Sequence, residues 1–223
     1  MNRALFLSLC RSQVFNGRLT AEIIKGLGAI LDAFDRHHVT DREMQAYILA
    51  TAQWETAHKM WPIREYGRGQ GRPYGKTDPV TGQSYYGRGF VQLTWKRNYK
   101  TMGDLLGVDL VGQPDQALEL HLAADILVIG MRDGLFAPKS GKLSKYLGKS
   151  LDWIGARRTV NGTDKAIEIA AIARLFHAIL QKSYSAERMI VIERPPSSRP
   201  VREKVTIASL LIKLFRYLLS KRK

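Results

Sequence analysis

The sequence predicts a mainly α protein of the α+β type, with a helical domain, a small Gly/Tyr-rich β-hairpin lobe and a C-terminal basic amphipathic helix. Apolar residues recur at helical spacing in several stretches, the pattern of helices that pack on a core. Between Tyr66 and Phe90 the chain instead holds seven glycines and four tyrosines without helical periodicity. That composition is typical of turns and short strands.

A length of 223 residues fits one domain with a sizeable core and an appendage. We expect the domain to cover residues 1–182, and a linker with the basic helix to cover residues 183–223. A single cysteine, Cys10, excludes an intrachain disulfide framework. The five histidines are scattered without metal-ligand spacing, so we expect no metal and no cofactor.

The net charge of +15 indicates a polyanionic partner, which could be nucleic acid, anionic lipid or an anionic bacterial envelope. The stretch Pro195–Lys223 is the most basic part, with eight Lys/Arg and one Glu. No zinc finger or RNA-binding motif is visible, so charge is the only argument for a nucleic-acid partner. We therefore expect no binding to nucleic acid.

The N-terminal stretch Met1–Arg11 contains an apolar run that is short for a secretion signal and far too short to span a bilayer. We therefore expect a buried N-terminal turn or helix and no signal peptide. The next helix is predicted over Thr20–Phe34, with Thr20 as its N-cap. A capping box at Thr40 and Glu43 starts a further helix, and Pro62 closes that segment.

Two later helices follow from the same reasoning. Gln113, Pro114 and Asp115 open one of them, because proline is favourable at the first helical position, and Gly134 suits its C-terminal cap. Apolar residues at helical spacing then predict a helix over residues 163–180, which closes the core.

Glu55 is the first candidate catalytic residue. It shares the inward stripe of the capping-box helix, and burial raises the pKa of a carboxyl, which favours the protonated form that a general acid needs. A structural ion pair, or exposure where the stripe ends, would explain the same position.

Glu65 is the second candidate, between Arg64 and Arg68. Nearby cations stabilise an ionised carboxylate. Two carboxyls whose surroundings shift their pKa values in opposite directions are typical of a general acid and a general base. An inverting glycosidase places such a pair about 6.5–9.5 Å apart to admit a water. The alternative is that Glu65 only forms salt bridges with its arginines. We include Arg64 among the candidate substrate-binding residues.

The Gly/Tyr-rich segment suits a sugar-binding cleft, because glycine lets backbone approach a ligand while tyrosines such as Tyr86 offer flat faces and hydroxyls. In the stretch Val91–Trp95, a strand period predicts that Gln92 and Thr94 share one face. With Asn98 they could line the cleft, or they could be ordinary strand-edge polar groups.

The motif YYGRGFVQLTWKRNY (Tyr85–Tyr99), together with AQWET (Ala52–Thr56), resembles glycoside hydrolase family 19, the chitinase group that includes chitinase-like phage endolysins. The similarity runs from Leu19 to Leu180, and the segment that begins PIREYG is most similar to the phage and prophage branch. The resemblance implies a lysozyme-like helical fold and inverting hydrolysis of a β-1,4 bond beside an N-acetylated sugar.

Matched residue by residue, the resemblance makes Glu55 the general acid and Thr94 the hydroxyl residue that helps to hold the attacking water. Gln92 and Asn98 correspond to substrate-binding positions, and Asn161 resembles a late asparagine of the family's cleft.

The chain departs from the family's pattern at two points. Trp54 stands where plant enzymes usually carry histidine. The second carboxylate, Glu65, follows much sooner than in plant chitinases, so the transfer of the general-base role to it is weaker.

After Gln181 the composition changes. Residues 194–200 are typical of an extended linker, and residues 201–223 of a basic helix with a wide apolar face. Such a helix is too short and too charged to span a membrane, but it could contact an anionic membrane or lipopolysaccharide. It could also fold back on the domain or stay disordered.

We therefore predict a monomeric hydrolase of the endolysin type, an inverting glycosidase that cleaves β-1,4 bonds in bacterial peptidoglycan and leads to host cell lysis. It would accumulate in the host cytoplasm until another protein releases it to the periplasm and cell wall. Two alternatives stay open: a chitinase on the same fold, and a non-enzymatic basic protein that binds a membrane or envelope.

Overall fold

Seven α-helices and one pair of short strands occupy residues 1–193, the part of the chain that the structure, a computed structural model, describes. Side chains are described for residues 1–187. The helices are α1 (Arg3–Gln13), α2 (Ala21–Arg36), α3 (Arg42–Glu55), α4 (Lys96–Leu106), α5 (Leu120–Asp133), α6 (Ser144–Leu147) and α7 (Ala166–Glu193). The strands β1 (Ile63–Arg64) and β2 (Arg88–Gly89) pair antiparallel, with Ile63 opposite Gly89. The mainly helical fold with a small hairpin lobe is confirmed.

The core is built around α3, which is buried on every side. Its residues from Gln45 to Gln53 are all buried, so the helix has no solvent-facing stripe. Helices α2 and α5 pack against each other and both contact α3. Because α3 runs through the core and ends at Glu55, its last residue is held in place by the packing of the whole domain.

The close packing of α2 depends on Gly26. A Cβ atom built on Gly26 would lie 1.6 Å from the carbonyl oxygen of Met60, in the loop after α3. The same atom on Gly28 would meet nothing within 4 Å. Gly26 therefore lets α2 approach the chain that follows α3, whereas Gly28 has no such steric role among the described residues.

The predicted start of α2 and the predicted end of α5 are confirmed. The Thr20 hydroxyl accepts a hydrogen bond from the Ile23 amide and caps α2, and Gly134 ends α5 in the left-handed conformation. The predicted capping box at Thr40 is wrong. Asp41 is the N-cap of α3 and accepts from the Met44 amide at 2.8 Å, because a carboxylate one residue later meets the same free N–H groups.

The prediction of a strand over residues 91–95 is also wrong. Strand β2 ends at Gly89, and the chain then turns through Gln92 and Trp95, which have φ angles of 54° and 71°. Positive φ interrupts the pleat on which alternation of side chains between two faces depends. Helix α4, which the sequence reasoning did not predict, begins directly afterwards at Lys96.

The helix predicted to open at Gln113 begins as a short 3-10 helix (Pro114–Leu118), after which α5 begins at Leu120. The helix predicted over residues 163–180 begins at Ala166 and continues to Glu193. Within the described residues, no helix is both long and apolar enough to cross a membrane.

Residues Met1–Glu187 form one compact unit, and a second unit begins at Arg188. Of the second unit, only the backbone of residues 188–193, in α7, is described. The predicted division at residue 183 stays a prediction. The predicted linker and C-terminal helix over residues 194–223 lie outside the described residues.

Candidate active site

A groove of about 370 Å³ opens where α3 ends. Its walls come from the end of α3, the hairpin lobe, the irregular turn with the start of α4, and two loops that follow α5. The lining residues are Glu55, Tyr74, Val91, Gln92, Leu93, Thr94, Trp95, Arg97, Asn98, Phe136, Val160 and Asn161. The turn and α4 supply seven of the twelve lining residues, so the tyrosine- and tryptophan-containing motif is the main wall of the groove.

Glu55 is the carboxylate in this groove. Its Oε1 lies 2.7 Å from Nη1 of Arg157, and the side chain of Glu55 is 18% exposed whereas that of Arg157 is 2% exposed. The two groups form an ion pair, but the angle between them is not that of a hydrogen bond. Arg157 is held from its other side, where its Nε donates to the carbonyl oxygen of Asp164 at 2.9 Å. Glu55 is therefore ion-paired, as the alternative interpretation proposed. Its carboxylate nevertheless opens on the groove.

Glu65 is not paired with its neighbouring arginines, so the alternative of a Glu65 that only forms salt bridges with them is wrong. Its Oε1 accepts from the Tyr74 hydroxyl and its Oε2 from the Gly87 amide, each at 2.9 Å. Within the described residues, no Lys or Arg nitrogen lies within 4 Å of its carboxylate. Tyr74 lines the groove and Glu65 does not, and the Tyr74 hydroxyl connects the carboxylate of Glu65 to the groove wall.

Arg64 and Tyr86 also lie outside the groove lining. The Arg64 guanidinium donates to Oδ2 of Asp115 at 2.7 Å instead of reaching Glu65. Tyr86 is buried, and the guanidinium carbon of Arg88 lies 3.6 Å from its ring centroid. Both candidate substrate-binding residues therefore take part in the packing of the lobe.

Arg88 holds that lobe together. Its side chain is 4% exposed, donates from Nε to Oδ1 of Asp115 at 2.7 Å, and donates from Nη1 to the hydroxyl of Tyr99 at 3.0 Å. Burial opposes ionisation of Asp115, but the hydrogen bonds from Arg64 and Arg88 outweigh it, so the pKa of Asp115 is lowered. The two arginines connect both short strands to the 3-10 helix that carries Asp115.

The turn before α4 presents the remaining predicted residues. Gln92 donates from Nε2 to the carbonyl oxygens of Ile63 and Gly89, each at 3.2 Å, which ties the turn to the strands. Thr94 follows and lines the groove, as does Asn98 in the first turn of α4. The structure thus brings Gln92, Thr94 and Asn98 to one wall.

Asn161 faces that wall from the loop after Arg157. The structure therefore brings Glu55 and Asn161 into one groove with Gln92, Thr94 and Asn98. It does not bring Glu65, Arg64 or Tyr86 to the lining.

Sequence reasoning missed several lining residues. Trp95 and Arg97 lie inside the motif that was singled out, so their position could have drawn attention to them. Tyr74 was hidden among other tyrosines of the lobe, and its ring packs edge-on against Trp95 with centroids 5.3 Å apart. Phe136 follows α5 and carries no sequence signal of a site. Within the described residues, no group of three His, Cys, Asp or Glu side chains converges as a metal site would require.

A mainly helical domain, a small two-stranded lobe and a carboxylate at the groove end of a buried helix define the lysozyme-like class of folds. Comparison with known proteins agrees. The sequence model described as "Chitinase class I" of glycoside hydrolase family 19 matches residues 65–129. The chain is thus similar to this family of chitinase-like glycoside hydrolases over residues 65–129.

Among curated relatives, an endochitinase, CH5B, of Phaseolus vulgaris is 36% identical over 85 residues, which are 38% of this chain and 24% of that protein. The chain thus spans about a quarter of the length of the curated relatives that it matches first.

Two solved structures share the fold. A bacterial family 19 chitinase superimposes with a TM-score of 0.55 at 23% identity, covering 78% of this chain and 93% of that one. Chitinase C from Streptomyces griseus HUT6037 gives a TM-score of 0.56 at 23% identity, covering 80% of this chain and 75% of that one.

Proposed function

We propose that this protein is an inverting glycosidase that hydrolyses β-1,4 bonds beside N-acetylated aminosugars in bacterial peptidoglycan, as an endolysin does. The observation that carries the proposal is Glu55, whose carboxylate opens on a groove lined by the hydroxyl of Thr94 and the amides of Asn98 and Asn161. Such a carboxyl can supply the general acid, one of the two carboxyl groups that an inverting glycosidase uses.

In the proposed reaction Glu55, ion-paired with Arg157 in this structure, takes up a proton and then gives it to the leaving glycosidic oxygen. A water, held with help from Thr94, attacks the anomeric carbon from the opposite face of the sugar. The proton of that water passes to a second carboxylate, for which Glu65 is the candidate in the lobe. Because Glu65 lies outside the groove lining and its Oε1 accepts from the hydroxyl of Tyr74, which does line the groove, Glu65 reaches the water only if Tyr74 moves when a glycan binds.

Peptidoglycan is favoured over chitin by charge. The chain carries a net charge of +15, and chitin has no anionic groups on which that charge could act, whereas the bacterial envelope is anionic. The relatives named as chitinases favour the second candidate, a chitinase with the same groove and the same roles.

The test compares loss of turbidity of permeabilised bacterial cells with release of sugar from colloidal chitin, for the wild type and Glu55→Gln. General acid catalysis contributes about 100- to 10,000-fold, so the variant loses most of its activity on whichever glycan is the substrate. Glu168→Gln, which removes an exposed carboxylate on α7, is the matched control and stays active.

The outcomes separate the candidates. Activity on chitin alone would replace the endolysin proposal with the chitinase one. Unchanged lysis by Glu55→Gln would favour a basic protein that binds the envelope without catalysis. Proton NMR of the first product distinguishes inversion from retention, because inversion gives the α anomer from a β-1,4 bond.

We also propose that residues 201–223 increase contact with an anionic membrane or lipopolysaccharide. The support comes from the sequence, which combines a wide apolar face with cations. Deletion of Val201–Lys223 then leaves cleavage of purified glycan intact and weakens lysis of whole cells. Unchanged lysis of whole cells would remove this role.

A further inference from the structure

Arg97 is a charged group of the groove that the proposed reaction does not use. It is exposed in the first turn of α4 and lines the groove between Trp95 and Asn98. Within the part of the chain that the structure describes, no carboxylate oxygen lies within 4 Å of its guanidinium. Its neighbour Lys96 differs, because its ammonium group lies 2.8 Å from Oδ2 of Asp78.

As far as residues 1–187 show, the groove consequently carries a positive charge with no carboxylate partner. Glu55 and Arg97 are the charged residues among those that line it, and the charge of Glu55 is balanced by buried Arg157. The start of α4 adds a contribution of the same sign, because its N-cap Trp95 supplies no side-chain acceptor to the free N–H groups. An anionic group in the groove would therefore meet a favourable field beside Arg97.

We propose that Arg97 binds a carboxylate carried by the glycan and selects a carboxylate-bearing aminosugar polymer over a neutral one. This inference rests on the proposed function. Every second sugar of peptidoglycan carries a lactyl group, whose carboxyl is either free or joined to a peptide that has carboxylates of its own. A chitin chain has none of these groups. The guanidinium fork matches a carboxylate with two parallel hydrogen bonds.

The test measures kcat/KM of the wild type, Arg97→Gln and Arg97→Lys on soluble peptidoglycan fragments and on neutral N-acetylchitooligosaccharides of the same length. The ratio of kcat/KM between the charged and neutral substrates falls about three- to tenfold in Arg97→Gln, since one hydrogen-bonded charge is lost. The ratio in Arg97→Lys lies between those of the wild type and Arg97→Gln, because lysine keeps the charge but lacks the guanidinium fork.

Arg158→Gln is the matched control. Arg158 is an exposed arginine outside the groove lining, so this variant has the same net charge as Arg97→Gln and leaves the ratio unchanged. Added salt lowers the ratio of the wild type toward that of Arg97→Gln, because ions screen an exposed charge pair.

Two preparations of glycan distinguish the sources of the carboxylate. Strands freed of peptide by an amidase carry the lactyl carboxylate, whereas untreated strands carry the peptide carboxylates. A ratio that depends on Arg97 only with untreated strands assigns the contact to the peptide.

An unchanged ratio in Arg97→Gln overturns the inference, and an equal loss of kcat/KM on charged and neutral substrates counts as an unchanged ratio. Neither result affects the proposed function, whose own test is the loss of activity in Glu55→Gln. If one substrate is not cleaved, the same ratio is obtained from calorimetric binding of both substrates to Glu55→Gln, with and without Arg97→Gln.

Discussion

The carboxylate of Glu55 and the guanidinium of Arg157 lie 2.7 Å apart, with the arginine buried and the glutamate open to the groove. A buried charge that loses its partner is costly, because its desolvation is no longer offset. The residue proposed as the general acid is therefore also a structural partner of the core. Its substitution is expected to change both activity and stability, so the two effects must be measured separately.

A double-mutant cycle separates them. Each of Glu55→Gln and Arg157→Met is expected to lower the free energy of unfolding by about 1–3 kcal/mol, and Arg157→Met also deprives the Asp164 carbonyl of its donor. The double variant loses less than the sum of the single variants, with a coupling energy of about 1–3 kcal/mol. Urea unfolding measures all four proteins. Additive losses would show that the pair makes no joint contribution.

Tyr74 and Glu65 provide the test of the general base. If Glu65 is the base, Glu65→Gln lowers kcat about 100- to 10,000-fold. Tyr74→Phe removes the hydroxyl that occupies Oε1 of Glu65 and keeps the ring against Trp95, so kcat is retained or rises. Steady-state kinetics on one soluble glycan measures both. Near-wild-type kcat in Glu65→Gln would assign the base to another group.

The lowered pKa of Asp78 leads us to expect that the stability of the fold depends on pH. Hydrogen bonds from Lys96 and from the backbone amide of Thr81 lower the pKa of Asp78 to about 2. A carboxyl whose pKa is lower in the folded state stabilises the fold above its unfolded pKa of about 4 and loses that contribution as pH falls toward 2. The melting temperature of Asp78→Asn is therefore below that of the wild type at pH 6, and the difference shrinks between pH 4 and pH 2. A constant difference across that range would contradict this origin.

Gly26 and Gly28 form a matched pair for the packing of α2. Gly26→Ala is expected to lower the free energy of unfolding by about 1–3 kcal/mol or more, because its Cβ meets the Met60 carbonyl oxygen and forces the backbone apart. Gly28→Ala is expected to raise it by about 0.5–1 kcal/mol, since alanine is the better helix former and space is open. Equal effects in urea unfolding would mean that the approach of α2 to Met60 does not limit packing.

Thr94 gives a prediction about the attacking water. Thr94→Val removes the hydroxyl while keeping the shape, and kcat is expected to fall about 10- to 100-fold if the hydroxyl orients that water. Thr94→Ser restores the hydroxyl and most of kcat. Similar losses in both variants would indicate that the methyl group matters, and not the hydroxyl.

Local signals allowed much of the fold to be predicted. Thr20 caps α2 and Gly134 ends α5, because each acts on backbone groups within a few residues of itself. Helices with strong apolar periodicity were found for the same reason. The cap of α3 was misplaced by one residue, since Thr40 and Asp41 are both good N-caps and sequence alone does not choose between them.

The site was harder to predict because its partners are distant in the chain. The ion pair between Glu55 and Arg157 joins α3 to a short 3-10 helix (Gly155–Thr159) far along the sequence, so the buried stripe indicated the carboxylate but not its cation. Glu65 was assigned to the arginines beside it, whereas the fold gives it Tyr74 and Gly87. Alternation in residues 91–95 looked like a strand, because positive φ at Gln92 and Trp95 leaves no mark in a hydrophobic pattern.

The position of Glu55 at the end of a helix buried on every side has a consequence for engineering. Randomising α3 to obtain new sugar preferences would unfold most of a library before any clone could be screened. Diversity belongs instead at Trp95 and Arg97, two exposed residues that line the groove, whereas Val91 and Leu93 of the same turn are buried in the core.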